Sequence, residues 1–147
     1  MGISPQPAQV AMLLNAAGID FVIIGAHALG VHTKEHRATA DVEVVVSDVS
    51  KTVKVLLNIR RNTQVLDFGE SAGKRIATAK GIELVDILLP IGGVRGELFS
   101  NRITITLDGH SASIPTLTAM LALKWLAMFS PSRKTSKHII DRGDLSN

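Results

Sequence analysis

The sequence predicts an α+β (mixed α/β) domain with one central mixed sheet flanked by helices. Short apolar runs of strand length alternate with longer segments whose apolar residues recur at helical spacing. Lys80-Gly81 and Asp108-Gly109 each sit between two strand-like runs, as hairpin turns do. The chain has 147 residues, of which 46% are hydrophobic and 20% charged, enough for one globular domain with a real core.

Pro5 and Pro7 open a helix through Gln9, Val10, Leu13, Leu14 and Ala17 that stops at Gly18. Phe21 to Ile24 reads as a continuous apolar strand buried on both faces, ended by Gly25. Ala26 to Val31 is a short helix, Thr33 to Ala38 a polar loop, and Ala40 to Ser47 a second strand. Asp48 or Ser50 caps a helix carrying Val53, Val55, Leu56, Leu57 and Ile59. Gln64 to Phe68 is a strand, and Arg75 to Ala79 with Ile82 to Leu89 forms a hairpin. Pro90 to Gly96 reads as a glycine-rich surface loop without the Gly-Lys-Ser/Thr of a phosphate loop. Arg102 to Leu107 and His110 to Ile114 make the second hairpin. Thr116 caps a helix from Leu117 to Phe129, Ser130 to Lys137 is a polar connector, and Ile139 to Leu145 adds a last turn or two. The expected organisation is a core over 1–115 with a C-terminal helical segment, 116–147, packed on it.

Composition narrows the function. Without cysteine there are no disulfides and no thiolate zinc sites, which suits a cytoplasmic protein. No apolar run spans a bilayer, and the N-terminus lacks the basic and apolar regions of a signal peptide, so no membrane partner is expected. The net charge of +3 permits nucleotide binding, whereas 3% aromatics and no tyrosine leave little for a base-stacking platform.

The chemistry concentrates between Phe21 and Ser47. Residues two apart on a strand project together, so Asp41 and Glu43 present their carboxylates on one side. Desolvating that pair beside Val42, Val44, Val45 and Val46 is costly without a cation or donors. Asp86 is an acid within another apolar strand run, Ile82 to Leu89. If the two strands are neighbours, the three carboxylates converge as the protein side of a magnesium site. An acid in such a strand also pairs with arginine, and Arg37 and Arg75 are available. Gly25-Ala26 hands a strand over to a helix, which fits either a phosphate held by helix N-terminal amides or a plain tight turn. His27, His32 and His36 do not share one helical face and read as ordinary loop or helix-end residues. Lys124 either reaches a phosphate or carries its charge out to solvent along an apolar helix.

Together these residues resemble the nucleotidyltransferase superfamily, and within it the small bacterial branch of minimal and abortive-infection toxin-type enzymes. The matching stretches are Gly25-Ala26-His27-Ala28, then Arg37-Ala38-Thr39-Ala40-Asp41-Val42-Glu43, then Asp86, and Ile114-Pro115-Thr116 leading into a helix with Leu123-Lys124-Trp125. The resemblance implies that Asp41, Glu43 and Asp86 bind Mg2+ (or Mn2+), with Asp86 also assisting the acceptor hydroxyl. It places the triphosphate on Gly25, Ala26 and His27, with Arg37, Thr39 and Lys124 as further nucleotide contacts. Ala26, Glu43 and His138 depart from the family pattern. The implied activity is transfer of a nucleoside monophosphate from an NTP to a hydroxyl on a protein, a tRNA or a small molecule. The chain is short for the family, which leaves room for a homodimer in which a second subunit supplies the acceptor surface. The alternative is a catalytically inactive binding or assembly module on the same fold.

Overall fold

The computed structural model describes residues 6–34, 41–67, 73–90 and 93–128. The first helix, α1 (Pro7–Ala16), starts at a proline in its first turn, and the Gln6 N–H donates to Gln9 Oε1 at 3.1 Å. Gly18 ends it with a left-handed φ of 70°, letting the Ile19 N–H return to the Leu14 carbonyl at 3.0 Å. The chain then enters β1 (Phe21–Ile24), all four residues of which are buried. There follow α2 (Gly25–Thr33), β2 (Val42–Val46) and α3 (Val49–Leu56). Asp48 caps α3, its Oδ1 accepting the Lys51 N–H at 3.0 Å. Three strands come next: β3 (Thr63–Asp67), β4 (Gly73–Thr78) and β5 (Glu83–Leu88). They are followed by α4 (Val94–Ser100), the strands β6 (Arg102–Leu107) and β7 (His110–Pro115), and α5 (Leu117–Met128). Thr116 Oγ1 accepts the Ala119 N–H at 3.2 Å at the start of α5.

Five strands form the central sheet in the order β1-β2-β5-β4-β3. The β2–β5 pair is parallel and the other pairs are antiparallel, so the sheet is mixed as expected. Alternation sorts the side chains onto two faces. Phe21, Ile23, Val42, Val44, Val46, Val85 and Ile87 point into the main core, with Val10 and Leu14 of α1 and Leu56 of α3. Val22, Ile24 and Val45 point the other way and are covered by Leu98.

Two expectations are corrected. The hairpin at Asp108-Gly109 forms, with both turn residues at positive φ (48° and 83°), but β6 and β7 make a separate two-stranded sheet. Its inward residues Ala112 and Ile114 join the main core, so it packs against the domain without extending the central sheet. The segment from Pro90 to Gly96 is not wholly a loop, because α4 begins at Val94 and takes in Gly96. Helix propensity is poor there. Tertiary burial overrides it: Leu98 is 2% exposed, and Val94 and Phe99 pack beside it on β1 and β2. Positions 91 and 92, Phe68, and everything from Phe129 to Asn147 fall outside the described residues. That range includes the expected turns at Ile139 to Leu145. The described part of the C-terminal segment, α5, touches α2, α4 and β7.

Leu98→Ala is therefore expected to lower stability by about 2–5 kcal/mol, read from the midpoint of urea unfolding. A cost below about 0.5 kcal/mol would mean that α4 does not cover this face of the sheet.

Candidate functional site

One row of paired residues crosses the sheet on the α4 side: Ile24, Glu43, Asp86, Arg75 and Leu66. Paired residues on neighbouring strands project from the same side. The parallel β2–β5 pairing thus sets Glu43 beside Asp86 and brings Asp41, at the entrance to β2, to the same end of the sheet.

Asp86 is 3% exposed, a position an ionised carboxylate does not hold without partners. Arg75 supplies them. Its Nε donates to Asp86 Oδ1 at 2.8 Å and one terminal nitrogen to Asp86 Oδ2 at 3.3 Å. The other terminal nitrogen lies 2.8 Å from Glu83 Oε1. One guanidinium thus holds two acids, in the forked geometry that suits arginine.

Glu83 was not among the expected site residues. It precedes Asp86 by three positions, and on a regular strand the two would face opposite sides. A bulge in the β4–β5 ladder changes this: Ile76 pairs with Val85 but Ala77 pairs with Glu83, leaving Leu84 extra. Leu84 and Val85 consequently both turn into the main core, and Glu83 comes round toward Asp86. Carboxylate oxygens of Asp41, Glu83 and Asp86 lie within 4.8 Å of one another. The sequence signal for Glu83 was present only as an acid beside an apolar run.

Glu43 occupies the other flank. Gly25 has a φ of 73°, which calls for glycine at the β1–α2 turn, and a Cβ built there would fall on the Glu43 carboxylate and push it aside. The Glu43 carboxylate therefore lies against the first turn of α2. Ala26 is buried and His27 half-buried in that turn. His32 Nε2 lies 2.8 Å from the Pro115 carbonyl oxygen and ties α2 to the end of β7. No histidine belongs to the acid cluster among the described residues. Lys124 lies on α5, whereas Arg37, Thr39, His36 and His138 lie outside the described residues.

Burial is the largest influence on the Asp86 carboxyl and pushes its pKa up. The Arg75 hydrogen bond opposes this, the charge of Asp41 adds to it, and the result is about 7. At Arg75, burial works against the charge, but the hydrogen bond to Asp86 and the charges of Asp86, Glu83 and Asp41 outweigh it and raise the pKa. A polar cavity lined by Asn15, Asp20, Arg102 and Ser111 opens at the far end of β1, remote from the acids. There Arg102 grips Asp20 through two bonds, at 2.7 and 3.2 Å.

Among solved structures the chain is similar to an antigenic nucleotidyltransferase-like protein from Paracoccidioides brasiliensis. The TM-score is 0.54 and the identity 20%, over 91% of this chain and 72% of that one. This likeness establishes a nucleotidyltransferase-like fold. No family model matches the chain. No curated protein matches it either.

The pKa of Asp86 yields a signed prediction for the metal-free protein. Its carboxyl binds a proton more tightly folded, at about 7, than at the ordinary 3.8 of an unfolded chain. Its stabilising contribution is complete below the lower value and is lost as the pH rises through the upper one. The difference in melting temperature between wild type and Asp86→Asn should thus shift against the wild type from about pH 4 to about pH 8. A difference that stays flat or grows would contradict it.

Proposed function

We propose that this protein is a nucleotidyltransferase that uses a divalent cation, Mg2+ or Mn2+, to move a nucleoside monophosphate from an NTP to an acceptor hydroxyl. One observation carries the reading: Asp41, Glu83 and Asp86 gather their oxygens within 4.8 Å of one another in a nucleotidyltransferase-like fold, with Glu43 between Asp86 and the β1–α2 turn. The donor set fits the metal. Carboxylate oxygens suit Mg2+ and Mn2+, and neither thiolate nor imidazole belongs to the cluster among the described residues.

Asp41, Asp86 and Glu83 would hold the cation, with Glu43 adding an oxygen from the Gly25 side. Once bound, the cation neutralises phosphate charge and helps align the attacking oxygen. The chain supplies the rest. Gly25 opens the first turn of α2, where the backbone amides of Ala26 and His27 suit a phosphate. Arg37, Thr39 and Lys124 are the further nucleotide contacts in this reading. The acceptor oxygen bonds to the α-phosphorus, the bond to pyrophosphate breaks, and the hydroxyl proton passes to an Asp86 carboxylate oxygen.

The resemblance to toxin-type enzymes favours a macromolecular acceptor, a protein or a tRNA, over a small molecule. A homodimer would let the second copy supply part of the acceptor surface, which light scattering can measure. No helix among the described residues is long and apolar enough to cross a membrane.

Isothermal titration with ATP, CTP, GTP and UTP in the presence of Mg2+ tests the proposal. Wild type should bind at least one nucleotide, and Asp41→Ala should weaken that binding about tenfold or more. Wild type that binds none of the four rules the reading out.

A further inference from the structure

The acid cluster carries its own cation. Arg75 reaches Asp86 with two nitrogens and Glu83 with the third, and its side chain is only 16% exposed against 5% for Asp86. Water screens little of the Arg75–Asp86 contact, whereas the Glu83 side chain is 44% exposed, so the guanidinium acts chiefly against the negative charge a metal would find on Asp86. We propose that Arg75 is a resident counter-ion that keeps the metal-free site folded and, by its charge, weakens the binding of a divalent cation to Asp86 and Glu83. This rests on the cation-binding reading above and adds a regulation to it. The bare metal binds weakly, and occupancy is favoured when a nucleotide's phosphates bring extra negative charge.

The geometry leaves room for both positive groups. An ionised carboxylate has about four lone-pair positions, of which Arg75 uses two on Asp86, where Asp41 makes a further hydrogen bond, and one on Glu83. The cation would thus bind alongside Arg75 and against its charge. A role of simple scaffolding predicts the opposite sign: removing the arginine would disorder the acids and weaken the metal.

The test is Mn2+ titration of the full chain without nucleotide, followed by electron paramagnetic resonance, on wild type, Arg75→Gln and Arg75→Lys. Gln removes the charge, while Lys keeps it but loses the fork. The expected order of affinity is Arg75→Gln tightest, by about tenfold or more over wild type, with Arg75→Lys between them. Mn2+ should also raise the melting temperature of Arg75→Gln more than that of wild type. A folded Arg75→Gln that binds Mn2+ no more tightly than wild type overturns the proposal and leaves the metal reading standing. Should Arg75→Gln not fold alone, the counter-ion role requires Mn2+ to restore cooperative unfolding, and failure to do so while Arg75→Lys folds overturns it. Absence of Mn2+ binding by wild type and both variants removes this proposal and the metal reading together.

Discussion

A carboxylate buried in the middle of a sheet sets the terms for everything around it. Asp86 lies on β5, flanked by β2 and β4, and is 3% exposed. Leaving such a group ionised and unpaired is far too costly for a marginally stable domain. The fold answers with Arg75 from the adjacent strand, in register and at 2.8 Å. Hydrophobic residues of the same size would stabilise a core at least as well as such a pair. Stability alone therefore does not account for a charged pair at this position.

The apolar part of the sheet serves this polar row. Phe21, Ile23, Val42, Val44 and Val85 bury one face against α1 and α3. On the opposite face, Leu98 of α4 covers Val22, Ile24 and Val45. Glu43 and Asp86 share that second face with them. The strand period of two means that a one-residue slip of β2 would turn Glu43 into the main core and move Val42, Val44 and Val46 onto the face of the acids. The main core thus fixes the register that aligns the acids. Glycine at position 25 has a related task, since it adopts the positive φ of the turn and leaves the Glu43 carboxylate where it lies.

Much of this was legible in advance. The strand Phe21 to Ile24, the cap at Asp48, the stop at Gly18 and the turn at Asp108-Gly109 all have local causes: apolar runs, a capping oxygen, and glycine at positive φ. Asp86 stood out as an acid within an apolar strand, and Arg75 was one of two arginines available to it. Its selection is a matter of register. Glu83 was not legible, because regular alternation turns it away from Asp86 and only the extra residue at Leu84 reverses that. The helix α4 was missed for a comparable reason. Its glycine lowers local preference, and the contacts that stabilise it come from distant strands.

By itself, then, the sequence determined the order and type of most elements and identified Asp41, Glu43 and Asp86 as acids in need of a partner, since those features depend on neighbouring residues. The tertiary structure alone decided which groups meet. It paired β2 with β5, joined Glu83 to Asp41 and Asp86, set Arg75 across two carboxylates, and kept β6 and β7 apart from the main sheet. The physical reason is that strand register and the bulge arise from hydrogen bonds between segments far apart in the chain, and no local pattern records them.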